Sequence, residues 1–320
     1  MKRLTTAILI VASGALLPGG VAAQTDTCPG FREIVDAAVP PVVGDRELMS
    51  HLLAAKVGPQ LGQSFDPAVA EKALGDNLRP GPGCRDRTRT CLYHGQRGSV
   101  LQAKLPAGLL TYLNPQRRFD GAKGVNNAVS EELARQAALA GFAAFGVPAT
   151  EIGPPFVRAL MAATQDTPLK TPTQVLRAEV HVNVPRHVEG TPVFASRTMA
   201  AIDSAGRIAR LYVQWPDFSI LPGLRPEATL PRPAVVEQVL QKMAADNPCG
   251  SVSKVLARIA YVPSSLLERS EESNEVPGDE KVRGFVPALA VFVVPPEVRP
   301  GETILGEQEF VVPLLGAPPQ

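Results

Sequence analysis

The sequence has few of the residues that most often do chemistry or grip flat ligands. Its 320 residues include four histidines, four cysteines, four tyrosines and one tryptophan, and aromatic residues make up 5%. No apolar run of about 18 residues or more follows the N-terminus, which excludes a bundle of transmembrane helices. The formal net charge is only +1, so nothing in the overall balance predicts a nucleic acid or an anionic membrane as partner. Glycine does not recur at every third position, which excludes collagen. There is no G-x-S-x-G elbow, no H-E-x-x-H helix, no Walker loop and no EF-hand loop. Proline, by contrast, is abundant at 32 residues, about double the usual share of roughly 5%. Together with 27 glycines it still falls short of a structureless composition, and 45% of residues are hydrophobic. A soluble globular protein of one or two domains is expected.

Residues 1–23 have the layout of a cleaved secretory signal. Lys2 and Arg3 form a positive start, Leu4 to Leu17 is mostly apolar, and Pro18-Gly19-Gly20 precedes the small-residue site Val21-Ala22-Ala23. A stop-transfer anchor is the alternative, but the apolar stretch is short for a bilayer. The expectation is a bacterial protein, secreted or periplasmic, with no stable membrane anchor after cleavage. Removing these residues leaves 297 and moves the formal charge from +1 to −1.

All four cysteines survive that cleavage, and an even number in an oxidising compartment predicts disulfides. Cys84 and Cys91 bracket a short polar loop, RDRTRT, whose closure costs little entropy, so they are paired first. Cys28 and Cys249 are then left for each other. A metal site is the competing reading. It is weakened by the absence of C-x-x-C spacing and of a histidine at a ligand spacing.

Along the chain, residues 24–98 read as a lead-in with short helices and the cysteine loop. Residues 24–44 show no clear period and read as an extended lead-in. RELMSHLLAAKV places Leu48, Leu52 and Leu53 at helical spacing, and Asp66-Pro67 opens a second short helix running to Leu74. Residues 99–220 form a first α+β unit. Ser99–Leu105 and Leu109–Leu113 flank a hairpin turn, and Ser130 caps a helix from Glu131 to Phe145 with a small stripe of Leu133, Ala137, Ala140 and Ala144. In RAEVHVNV, Ala178, Val180, Val182 and Val184 alternate with Arg177, Glu179, His181 and Asn183, one face buried and one wet. Val193–Asp203 and Ile208–Val213 complete an antiparallel meander.

Residues 221–320 repeat the order. An amphipathic helix from Pro233 to Asp246 precedes strands at Val255–Val262, Val282–Val294 and Glu309–Leu315, with an acidic, solvated loop, SSLLERSEESNEVPGDEK, between the first two. The fold expected is α+β, two units, each a helix packed on a short antiparallel sheet. Prolines such as Pro148, Pro185, Pro192 and Pro216 punctuate strand starts and helix ends.

Candidate chemistry is sparse. Ser251-Val-Ser-Lys254 matches S-x-x-K in letters but lacks companion motifs, and Gly81-Pro-Gly83 reads as a turn. Glu179, His181, His187 and Glu189 carry metal-ligand chemistry, yet an exposed polar strand face accounts for them. Arg85, Arg87 and Arg89 alternate in the cysteine loop, where solvation is the plainer reading. Trp215, before Pro216, reads as a core residue at a strand end. No cofactor, metal or catalytic residue is expected.

The segment Val188-Glu-Gly-Thr-Pro-Val-Phe-Ala-Ser196, with Met199-Ala-Ala-Ile-Asp203 and Gly206-Arg-Ile208, resembles the propeptide modules of thermolysin- and fungalysin-type metalloproteases and the related PepSY domains. The shared pattern is G-x-P-V-x-x-S, then I-D-x-x-G-x-I. Its positions here are Gly190, Pro192, Val193, Ser196, Ile202, Asp203, Gly206 and Ile208. The resemblance implies cystatin-like units, a helix on a curved antiparallel sheet. The protease domain and its zinc helix are absent, so it implies a non-enzymatic binding module whose partner is a peptidase or another envelope protein, acting as an inhibitor-like, assembly or sensing factor. β-addition at an edge strand is the expected contact. The alternatives are a hydrolase with serine and histidine assembled in space, and a small-molecule or lipid carrier using the concave face of the sheet.

Overall fold

The structure is a computed structural model and describes residues 30–57, 61–82, 84, 90–119, 126–165, 172–246, 252–268, 284–294 and 308–316. Seven α-helices are present among these residues: α1 Phe31–Ala38, α2 Arg46–Leu53, α3 Leu61–Ser64, α4 Pro67–Leu74, α5 Glu131–Ala144, α6 Arg232–Asp246 and α7 Ser264–Glu268. The strands are β1 Arg79–Pro80, β2 Cys91–His94, β3 Val100–Lys104, β4 Leu109–Leu113, β5 Phe156–Gln165, β6 Pro172–Val188, β7 Thr191–Ile202, β8 Ile208–Gln214, β9 Lys254–Pro263, β10 Phe285–Val294 and β11 Gln308–Pro313.

Local sequence explains most boundaries. Asp45 accepts hydrogen bonds from the backbone N–H groups of Glu47 and Leu48 at the start of α2. Asp66 accepts from Ala68 N, with Pro67 in the first turn of α4, and Ser130 Oγ accepts from Leu133 N at α5. The β6–β7 hairpin closes on Glu189 and Gly190, both at positive φ (49° and 82°), the two-residue arrangement whose twist matches the flanking strands. Phe31, Ile34, Val35 and Ala38 recur at intervals of one, three and four, so residues 31–38 form a helix where an extended lead-in was expected. The first residues of the expected acidic loop likewise form α7, and its Leu266 and Leu267 pack beside Val262 and Val286.

The sheet corrects the expectation of two cystatin-like units. All eleven strands join one sheet, in the order β1-β2-β3-β4-β8-β7-β9-β10-β11, with β6 also on β7 and β5 on β6. The β3–β4 hairpin extends the meander through β4–β8 pairing, so the sheet is larger than a short helix-covered one. β7 then carries the sheet onward. Its register against β6 jumps between Pro185–Arg197 and Arg186–Val193, bulging out Phe194, Ala195 and Ser196, and Ala195 takes φ 58°. Beyond this bulge, Val193 pairs in parallel with Tyr261 of β9. Bulges of this kind bend a strand and redirect pairing, and here the bend lets one strand belong to both halves of the sheet.

One face of the first half carries α3, α4 and α5. The residues α5 buries are Ala134, Ala138, Gly141 and Phe142, not the stripe of Leu133, Ala137, Ala140 and Ala144, and Leu133 is 49% exposed. A Cβ on Gly141 would stand 2.4 Å from Ile208 Cδ1, so the missing side chain is what lets this helix seat so closely. In the second half, α1 and α6 pack with Val255 of β9 and with Leu289, Val291 and Val293 of β10. Arg32 pairs with Glu237 at 2.6 Å, and Arg232 with Asp36 at 3.3 Å. The N-terminal helix therefore completes the C-terminal half.

A third feature stiffens the middle of the molecule. Arg186 Nε donates to Glu151 Oε2 at 2.7 Å, its Nη1 donates to the Pro216 carbonyl at 2.6 Å, and Trp215 Nε1 donates to the same Glu151 oxygen at 3.2 Å. The guanidinium lies 5.0 Å above the Trp215 ring. Trp215 is the buried strand-end residue its sequence context suggests. Burial pulls the Arg186 pKa down, opposed by Glu151 and Asp217.

Candidate functional site

The face of the first half opposite α5 carries half-exposed polar side chains. Glu179 and His181 belong to β6, Arg210 to β8, and the register aligns Arg158, His181, Ala201 and Arg210 across four strands. His181 Nε2 donates to Glu179 Oε2 at 2.9 Å, and Arg210 Nη2 donates to the same oxygen at 2.9 Å. Alternation places Glu179 on the open face as expected, but its two partners draw it in until it is 4% exposed. The hydrogen bond from His181, together with Arg210, holds the Glu179 carboxyl below its ordinary range in spite of burial. An anionic Glu179 is thus already matched by its two neighbours.

Beside this cluster lies an open strand edge. β5 pairs with β6 and, among the described residues, with no strand on its other side. An edge strand offers a row of backbone N–H and C=O groups to another chain. Edges are commonly blunted by charge, by proline or by shortness. β5 is ten residues long, FVRALMAATQ, carries one charge at Arg158 and contains no proline, the nearest being Pro154 and Pro155 ahead of it and Pro168 after it. Of ten large hydrophobic side chains exposed among the described residues, four cluster here: Phe156 at 45%, Leu160 at 46%, Met161 at 54%, and Val175 of β6 at 54%. Scattered apolar side chains are ordinary on a surface, whereas a contiguous group on an open edge marks an interaction site.

The family-pattern residues occupy structural positions. Gly190 closes the β6–β7 turn, Pro192 and Val193 begin β7, and Val193 forms the junction with β9. Ser196 is buried in the bulge, its Oγ without a hydrogen-bond partner. Asp203 accepts from Ala205 N and Arg207 N and takes both arms of the Arg207 guanidinium, closing the turn that contains Gly206. Ile202 and Ile208 are buried in the core under α5. These eight residues therefore shape one hairpin pair and its junction, and none lies on β5.

Cys84 and Cys91 form a disulfide, with Cα atoms 4.8 Å apart. Cys28, Cys249, Arg85, Arg87, Arg89, Gly83 and Ser251 lie outside the described residues. His187 sits on β6 near Arg258 of β9, and burial, reinforced by Arg258, lowers its pKa. His51 faces Glu189 at 3.6 Å. Among the described residues no serine hydroxyl is hydrogen-bonded to a histidine, no group of three or more His, Cys, Asp or Glu converges as metal ligands would, and no helix is long and apolar enough to cross a membrane.

Sequence reasoning missed β5 altogether. Its exposed residues are apolar, so hydrophobic alternation is blurred, and the signal available was the Pro154-Pro155 punctuation followed by ten residues with one charge. Compared with family models, with curated proteins and with solved structures, the chain matches none.

Proposed function

We propose that this chain is an exported, non-enzymatic protein-binding module that engages its partner by adding a strand to the free edge of β5. The observation that carries the reading is the edge itself: a ten-residue strand paired on one side among the described residues, with its own Phe156, Leu160 and Met161 and the neighbouring Val175 of β6 exposed. Strand addition draws affinity from main-chain hydrogen bonds and selectivity from alternate side chains. β5 supplies both. The leader-like residues 1–23 support export, and the resemblance of residues 188–208 to propeptide modules favours a peptidase or another envelope protein as partner.

The test is site-directed photocross-linking in the source cell. A benzoylphenylalanine at position 160 is expected to capture a discrete protein. The same group at position 133, equally exposed on α5, is expected not to. Equal capture at both positions, or capture at neither, overturns the proposal.

A further inference from the structure

The side chains beside the free edge also select what can dock there, an inference that rests on the binding role proposed for β5. Phe156, Arg158 and Leu160 alternate with Val157 and Ala159, and they lie opposite Asn183, His181 and Glu179 of β6. The first three face the open side of the sheet, while Val157 packs toward the core. Arg158 is exposed, with its guanidinium 5.2 Å over the Phe156 ring, and among the described residues it makes no ion pair. Glu179, on the neighbouring strand, is taken up by His181 and Arg210. Arg177, opposite Met161, makes no ion pair either, and its Nε is buried without a hydrogen-bond partner. Among the described residues, the margin of the sheet next to β5 thus holds two cations without an ion-pair partner, Arg158 exposed and Arg177 partly buried.

From this geometry we infer that β5 receives an extended acidic segment with the pattern apolar–x–Asp/Glu–x–apolar. A strand laid on β5 places its residues opposite 156, 158 and 160 on the same face. An apolar residue then meets Phe156, a carboxylate meets Arg158, and a second apolar residue meets Leu160. The β5 strand of a second copy, paired edge to edge with this one, lacks the required charge, because no acidic residue occurs between Phe156 and Gln165.

The inference is tested by fluorescence anisotropy on the purified protein with two labelled peptides, Thr-Val-Thr-Asp-Thr-Val-Thr and its counterpart with Lys in place of Asp. The Asp peptide is expected to bind tenfold or more tightly than the Lys peptide. Arg158→Glu is expected to reverse that order, and Leu160→Glu to abolish binding of both. Equal affinities, an order unchanged by Arg158→Glu, or no binding of either peptide overturns the inference. So does a homodimer in light scattering that Leu160→Glu dissociates. A protein captured through position 160 together with equal peptide affinities overturns the acidic preference alone and leaves the edge-binding role standing. Absence of both capture and peptide binding overturns the two together.

Discussion

The Glu151–Arg186 pair is the place where a single substitution most directly tests the physical account of this fold. Both side chains are almost wholly withdrawn from water, at 4% and 3% exposure. Replacing Glu151 with Leu leaves a buried guanidinium whose remaining hydrogen-bond acceptor is the Pro216 carbonyl. Removing one member of a buried pair costs about 3–5 kcal/mol, because the survivor stays desolvated without its counter-charge. Asp217 also attracts Arg186, which puts the expected loss near the lower end, about 3 kcal/mol. Arg186→Met takes the guanidinium counter-charge from the buried Glu151 carboxylate while Trp215 Nε1 still donates to it, and is expected to cost about as much. The double variant, Glu151→Leu with Arg186→Met, removes both charges. It should lose only about 1–2 kcal/mol, from the orphaned Trp215 N–H and Pro216 carbonyl. The assay is urea unfolding followed by the emission of Trp215, the one tryptophan in the chain, with far-ultraviolet circular dichroism as a second probe. The expected signature is a coupling of roughly 4 kcal/mol between the two positions. Single variants that lose less than about 1 kcal/mol, or a double variant whose loss is the sum of the singles, would refute the reasoning.

Two further outcomes follow from the same geometry. Glu179 is held below its ordinary carboxyl pKa in the folded protein, so its contribution is fully present above its unfolded value near 4.5 and fades as pH falls through the depressed one. The stability gap between the natural chain and Glu179→Gln is therefore expected to be greatest at neutral pH, at about 1.5–3 kcal/mol, and to narrow below pH 4.5; a gap independent of pH would show that the charge is not what matters. Helices α1 and α6 run antiparallel, as the Arg32–Glu237 and Asp36–Arg232 contacts require, so the chain enters α1 and leaves α6 at one end of the pair. Peptide mapping of the oxidised protein is expected to recover Cys28 linked to Cys249, and a free thiol at either position would refute that pairing.

Much of the secondary structure is written in local pattern. The alternation of Ala178, Val180, Val182 and Val184 predicts β6, and the Asp66-Pro67 and Ser130 caps predict α4 and α5, because these signals depend on neighbours within a few residues. What local pattern does not contain is which strand lies beside which. Nothing in Leu109–Leu113 announces β8 as its partner, and nothing in Val193 announces Tyr261, so one eleven-stranded sheet reads as two smaller units. Edge strands suffer most. A central strand such as β6 has a dry face and a wet face that sort its residues, whereas β5 is exposed enough for Phe156, Leu160 and Met161 to sit in solvent, and its sequence loses its period. The candidate site is hard to read for the same reason that makes it a candidate.

The dependence of the C-terminal half on the N-terminal helices has a consequence for how the chain comes into being. Tyr261 Oη donates to the Leu52 carbonyl at 2.9 Å across 209 positions of sequence, and Arg32 reaches Glu237 across 205. A chain delivered from its N-terminus at roughly 5–20 residues per second waits on the order of 10–40 s for these partners to emerge. The core formed by α3, α4, α5 and strands β2 to β8 contains neither α1 nor α2, and it can close during that interval. Val35, Val39 and Met49 cannot, since the surfaces that cover them do not yet exist. Helix α1 is thus made long before the surface that covers it, and it is the segment that a folding helper would have to shield.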